Sequence, residues 1–415
     1  MKFLAILLES LDPELLGLLG STCKFLYAFC RSEEFWKPLF IESPKSKSGS
    51  FEWRGSWRAT FLNVEDSDLS KIQCDNVFSD VLYRPFLCTH TPLTPYTTNI
   101  PHQNAITRLE NLTPEKFTTT WSDKPFILTE PVREWPAYHS WDTEALLEKH
   151  SETKFRAEAV DWSLKTYIQY MKNSNDESPL YLFDRDFISK MNLQTKDIPT
   201  PPYQIPSCFG EDLFTVLGAN RPDDKWLIVG PARSGSTYHK DPNATSAWNA
   251  VLRGSKYWIM FPSTPSSPLL QEFTSAKINP RSPPPSPSPN GSLVSTPKRA
   301  ALQAAWKAFV LLEKSCMYQV NFVPRAHLTG VLSFLKDKAD QVSGFKKDVV
   351  DPYGMFIEGM KREYPELLEE AMRELERKAE GRKRKWDVAV ANGDGDGEAG
   401  GFSFGFGGDS DEEVP

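Results

Sequence analysis

GPARSGSTYHKDPNATSAWNAVLRGSKYWIMFP, residues 230–262, carries His239 and Asp241 two positions apart. On a strand, side chains at i and i+2 project to one face, so this imidazole and carboxylate can converge on a single metal ion. Nitrogen and oxygen donors of this kind suit Fe(II), the ion of the 2-His-1-carboxylate facial triad. Alone the spacing is a weak signal, because a surface histidine near a turn aspartate arises by chance in many chains of this length. Its company strengthens it. SAWNAVLRGSKYWIMF is expected to form two strands joined as a hairpin at Arg253-Gly254-Ser255, with glycine in the turn. That places Asn249 and Lys256 to reach back toward the same interior. A buried lysine is what a diacid needs for its distal carboxylate.

Upstream, the pattern alternates helix and strand. TPEKFTTTW opens a helix from Thr113, KPFILTEPV is expected as a buried strand closed by Pro131, and WDTEALLEKH and SLKTYIQYMKN are amphipathic helices. PLYLFD and DKWLIVGPA are strands, with GEDLF a loop or helical turn between them. Residues 51–110 give no sharp signal. SPKSKSGS, at 43–50, has the composition of a polar linker.

Downstream of Phe261 the character changes. Residues 263–299 include PSSPLL and RSPPPSPSPNGS, a run that cannot join a central strand. AALQAAWKAFVLLEK then has the alanine and leucine content of a helix, QVNFVP resumes strand character, and HLTGVLSFLKDK is helical. PELLEEAMRELERKAEGRKRKW is a long charged helix, and the glycine-rich acidic stretch from 387 to 415 is too polar to fold.

At the other end, residues 3–41 are dense in leucine and aromatics at helical spacing. Asp12-Pro13 marks a helix start, and Ser21-Thr22 is placed to cap the next helix. Glu9 and Asp12 break the first apolar run, which argues against a secretory signal, and no stretch has the length of a membrane span. A net charge of -7 argues against a chain that coats nucleic acid, so direct nucleic-acid binding is not indicated. Six cysteines without a CxxC pair or zinc spacing read as reduced thiols of an intracellular protein. Cys23 and Cys30, two helical turns apart, are expected to share a buried face.

GPARSGSTYHKDP, TSAWN and GSKYWIMFP resemble the iron- and co-substrate-binding core of the JmjC family, in the subfamily of the lysyl hydroxylase once called the phosphatidylserine receptor. KPFILTEPVREWPA, KFRAEAVDWSL, SPLYLFDRDF and NFVPRAHL resemble the same subfamily. The likeness covers 101–345 and is interrupted at about 265–319. It implies a mainly β jelly roll, the cupin-like double-stranded β-helix, with flanking helices and with strands missing where the Pro/Ser-rich insertion stands. It implies Fe(II) and 2-oxoglutarate as cofactors, with His239 and Asp241 as metal ligands. Lys256 and Ser236 match the pair that holds the distal carboxylate, Asn249 matches a polar contact near the other end, and Tyr181 is a candidate lining residue or an ordinary core aromatic. The reaction implied is hydroxylation of a protein side chain, on a carbon to leave an alcohol or on an N-methyl group to release formaldehyde. A histone or another nuclear protein is the substrate class.

The family pattern also asks for a second iron-binding histidine about fourteen positions before Asn321, where this chain has Lys307. His90, His102, His139 and His150 precede the barrel strands, His327 follows them, and Glu313 does not stand in a strand-like context. Either the chain is a pseudo-oxygenase, or the segment replaces an omitted exon with non-coding sequence. LDPELLGLLGSTCKFLYAFCRSEEFWKPLF resembles an F-box without its usual leucine-proline opening, as in fungal F-box/JmjC proteins. That implies docking on the Skp adaptor of a cullin ubiquitin ligase and a non-catalytic substrate-receptor role as the alternative function; a helical cap on the jelly roll is the competing account. Arg382-Lys383-Arg384-Lys385 resembles a nuclear localisation signal, consistent with a nuclear and also cytoplasmic protein. The expected organisation is therefore 1–42 F-box-like, 43–100 linker, 101–345 JmjC, 346–386 charged helix and 387–415 tail.

Overall fold

A computed structural model of the chain describes residues 2–69, 94–174, 176, 178–193, 201–261, 306–311 and 315–391. The chain divides into two units, Met1–Glu363 and Tyr364–Pro415. Most of the Pro/Ser-rich insertion, Glu313, His90 and residues 392–415 of the tail lie outside the described residues.

The first unit opens with four helices, α1 (Lys2–Glu9), α2 (Pro13–Gly20), α3 (Lys24–Cys30) and α4 (Glu33–Glu42). Asp12 caps α2 by accepting from the Leu15 N–H at 2.9 Å, with Pro13 at the first helical position, as its sequence signals. Ser21 and Thr22 do not cap α3. Their hydroxyls instead donate back to the Leu18 and Leu19 carbonyls and close α2. Cys23, just outside α3, is exposed while Cys30 is buried, so the two thiols do not share a buried face. Leu8, Leu16, Phe29, Cys30 and Phe35 form a small core of their own. The neighbouring turn of α4 sends Trp36 and Phe40 into the main core, beside Trp57 and Trp162. One helix thus serves two cores.

The polar stretch 43–50 is more than a connection. It forms α5 (Pro44–Ser48), and its Ser46, 2% exposed, accepts from the Trp162 indole N–H at 3.1 Å. Gly49 ends it at φ 72, where a Cβ would lie 2.5 Å from the Asp161 carbonyl oxygen. α6 (Trp57–Leu62) follows.

Eleven strands are described. β1 (Thr107–Leu109) and β2 (Phe126–Leu128) pair in parallel, and β2 is only partly buried, not the buried strand its composition led us to expect. β3 (Lys154–Ala157), β4 (Val160–Ser163), β5 (Leu182–Asp184), β6 (Lys225–Gly230), β8 (Ser246–Arg253) and β11 (Ser315–Phe322) make an antiparallel sheet in the order β4-β3-β5-β6-β11-β8. β7 (Gly235–His239), β9 (Lys256–Phe261) and β10 (Trp306–Leu311) make a second antiparallel sheet in the order β7-β10-β9.

Two expectations fail here. β8 and β9 are not a hairpin: β8 pairs with β11 and β9 with β10, so the Arg253-Gly254-Ser255 turn carries the chain from one sheet to the other. Gly254 sits at φ 78, which a crossing this tight favours. Trp306–Leu311 is a strand, not part of an alanine-leucine helix, because pairing on both edges outweighs its helical composition.

Along β11, Cys316, Tyr318, Val320 and Phe322 face the large aromatic core, while Met317 faces the other way, onto Ile228. Trp258 of β9 packs against that second cluster together with Tyr181, Phe183 and Trp226. The three-stranded sheet therefore packs on the face of the six-stranded one that bears Met317, and the region where the two faces meet, with Lys256 bonded to Asn249 across it, is termed the chamber.

Candidate functional site

β7 ends at His239, and Asp241 follows two positions later, beyond the strand. The His239 Nε2 and Asp241 Oδ1 atoms lie 3.9 Å apart, with the Asp241 side chain 9% exposed and that of His239 38%. The loop behind Asp241 is fixed. Asn243, at φ 56, donates from Nδ2 to the Ser343 carbonyl at 2.9 Å and accepts from the Ser343 N–H at 3.1 Å. The two side chains can share one ion.

Lys256, at the start of β9, donates from Nζ to Asn249 Oδ1 at 2.9 Å and lies 4.0 Å from the centroid of the Trp258 ring. This bond ties the three-stranded sheet to the six-stranded one. Asn249 in turn lies opposite Gln319 in the β8–β11 register. Gln319 donates to Asn321 Oδ1 at 3.3 Å, and Asn321 Nδ2 donates to Thr245 Oγ1 at 3.2 Å. Gln319 and Thr245 are chamber residues that sequence reasoning missed. The available signal was the pair of polar side chains at i and i+2 within an otherwise apolar strand.

Ser236 comes into this group by a β-bulge. Lys307 of β10 pairs with His239, yet Phe309, two residues on, pairs with Ser236, three residues back. The extra residue on β7 reverses the alternation, so Ser236 and His239 share a face although they are three positions apart. The Ser236 Oγ is buried without a hydrogen-bond partner among the described residues. A buried, unpaired hydroxyl is costly, and a bound oxygen acceptor removes that cost. Tyr181, immediately before β5, packs in the cluster of Ile228 and Met317, and its N–H donates to Glu158 Oε1 at 3.3 Å. Burial, then the nearby Glu158, pushes its phenol up to about 12.

The metal side is less complete. Among the described residues no group of three His, Cys, Asp or Glu side chains could hold an ion. The register position facing His239 belongs to Lys307, and an ammonium has no lone pair to donate. His327 is held elsewhere, between Ser246 and Asp123. The co-substrate residues fit a diacid; the donor set does not fit a facial triad.

A histidine at the end of a strand with an aspartate two positions on, just outside it, a lysine reaching across from the neighbouring sheet and a buried serine without a partner match the JmjC core, and the chain belongs to the JmjC family of oxygenases. It is 30% identical to the arginine-specific demethylase JMJ22 of Arabidopsis thaliana, over 94% of this chain and 81% of that protein. The lysine-specific demethylase JMJ21 of the same plant is 34% identical over 62% of this chain, which is 28% of its own length. The bifunctional arginine demethylase and lysyl-hydroxylase psr-1 of Caenorhabditis elegans is 36% identical over 39% of this chain and 42% of its own. No family model matches the chain. JmjC demethylases and hydroxylases generally depend on Fe(II) and 2-oxoglutarate.

Proposed function

We propose that the chamber is the co-substrate pocket of a JmjC protein oxygenase of the demethylase and hydroxylase type, and that this chain retains 2-oxoglutarate binding but has lost turnover. The Lys256–Asn249 bond across the chamber, beside the unpaired Ser236 hydroxyl, carries this reading. The two facing antiparallel sheets are taken as the halves of one jelly roll. The substrate class is a methylated arginine or a lysine of a histone or another nuclear protein, in keeping with the relatives' activities. The basic run 382–385, on the helix Pro365–Ala391, is proposed as the nuclear import signal. Calorimetric titration with 2-oxoglutarate tests the pocket. The native chain is expected to bind and Lys256→Ala to bind at least about tenfold more weakly, as for a lost charged hydrogen bond. Equal affinities would remove Lys256 from the site.

A second reading rests on the N-terminal helices. Ile6, Leu7, Leu15, Leu18 and Phe25 are 63%, 50%, 46%, 67% and 43% exposed, although the same helices bury a core of their own. We propose that this apolar face docks the Skp adaptor of a cullin ubiquitin ligase, which would make the chain a substrate receptor whose JmjC chamber need not turn over. Co-purification with the adaptor is the test.

A further inference from the structure

Arg31 directly follows α3, and its guanidinium carbon lies 3.1 Å from the centroid of the Tyr27 ring. Arg58, in the first turn of α6, holds its guanidinium over the Trp36 ring, 5.9 Å from the centroid. The two aromatic platforms are tied together: the Trp36 indole N–H donates to the carbonyl of Cys30, the residue before Arg31, at 2.9 Å. The two cations are close enough to act on each other. Burial first, and then the charge of Arg31, pushes the Arg58 guanidinium below its ordinary value. Neighbouring Arg54 is neutralised by Glu52, at 3.1 Å, and by Glu65. Among the described residues no carboxylate comes within ion-pair distance of Arg31 or Arg58, and the Arg31 Nε is buried without a hydrogen-bond partner. The acids that act on Arg58 are Glu33 and, more weakly, Asp66. Glu33 already accepts the Trp57 and Arg58 backbone N–H groups, and burial pushes its carboxyl up to about 7.

We propose that Arg31 and Arg58 form a binding site for a divalent tetrahedral oxyanion, phosphate or a phosphate monoester, where the end of α3 meets α4 and α6. Two partly desolvated guanidiniums that repel each other and lack a counter-charge are costly, and an anion between them removes both costs. The guanidinium fork presents its donors in the plane that matches two oxygens of a phosphate, and stacking on an aromatic ring holds that plane in place. A dianion neutralises both cations, whereas a monocarboxylate leaves one of them unmatched. The buried Arg31 Nε is the donor that such a ligand would satisfy.

The test is calorimetry on the full chain in a buffer free of polyvalent anions, with inorganic phosphate, acetate, and a short peptide whose single serine is phosphorylated or unmodified. The native chain is expected to bind phosphate saturably and at least about tenfold more tightly than acetate, since the dianion gains a second charged partner. Phosphopeptide binding as tight as that of phosphate, with none by the unmodified peptide, supports the site and assigns its ligand to a phosphorylated side chain. Phosphate binding with none by the phosphopeptide supports it as a site for the free anion. Arg31→Met and Arg58→Met keep an apolar stem over each ring, and each is expected to weaken phosphate binding at least about tenfold. Without the anion, each is expected to melt close to or above the native chain, because it loses a like-charge contact and no ion pair. Phosphate bound no more tightly than acetate, or undiminished binding in both variants, overturns the site. Variants that melt well below the native chain in the absence of any anion make the two arginines structural and overturn it as well.

Discussion

Lys307 stands directly opposite His239 in the antiparallel pairing of β7 and β10. On the reading proposed above, β10 is the strand that would bring a second histidine to the H-x-D pair, and it pairs with β7 with Lys307 at that register position. Loss of the triad does not require loss of the strand.

Ser236 offers a clean separation of binding from stability. Its hydroxyl is buried and bonds to nothing among the described residues, so Ser236→Ala gives up no internal hydrogen bond. We expect an unchanged or slightly higher melting temperature, because an unpaired buried hydroxyl is itself a cost. The affinity for 2-oxoglutarate is expected to fall by about 10- to 100-fold, the value of one hydrogen bond to a carboxylate. A melting temperature that drops while affinity holds would make the serine structural.

Much of this site was legible in the sequence, and the failures have physical causes. The approach of His239 to Asp241 and the cap at Asp12 follow from local geometry, which a sequence displays, whereas Lys256 reaches Asn249 from one sheet to the other and not through the expected hairpin. β10 was illegible because alanine and leucine around Trp306 favour a helix, while what makes it a strand is two partners distant in the chain. The β8–β9 turn carries ordinary hairpin chemistry at Gly254, and only the pairing partners reveal that it joins two sheets. The bulge that turns Ser236 inward depends on the register with Phe309, for the same reason.

Glu33 gives the fold a pH dependence. Its carboxylate receives the Trp57 N–H at 2.6 Å and the Arg58 N–H at 3.3 Å at the start of α6, but burial dominates and pushes it up from 4.5 to about 7. The folded chain holds this proton more tightly than the unfolded chain. Its contribution to stability is therefore full below pH 4.5, declines as pH rises to about 7 and is level above that. The span amounts to about 3 kcal/mol at most. Glu33→Gln keeps an acceptor for both N–H groups, so urea unfolding at pH 5 and pH 8 should show it markedly more stable than the native chain only at the higher pH. The same difference at both values would contradict this account.

The buried and the exposed leucines of α2 should behave oppositely. Leu16 is 1% exposed in the small N-terminal core, and Leu16→Ala should cost about 2–5 kcal/mol in chemical unfolding. Leu15→Asp with Leu18→Asp, at positions 46% and 67% exposed, should leave stability within about 1 kcal/mol and abolish adaptor co-purification. Destabilisation by the exposed pair would favour a helical cap packed on the rest of the chain.

The most direct measurement is succinate release from 2-oxoglutarate in the presence of ferrous iron, compared between the native chain and Lys307→His. With Lys307 opposite His239 in the register and His239 and Asp241 the only donors gathered there among the described residues, the native chain is expected to release none above background, and Lys307→His to release succinate in an iron-dependent manner. Equal, iron-dependent release from both would reveal a third ligand elsewhere and contradict the account.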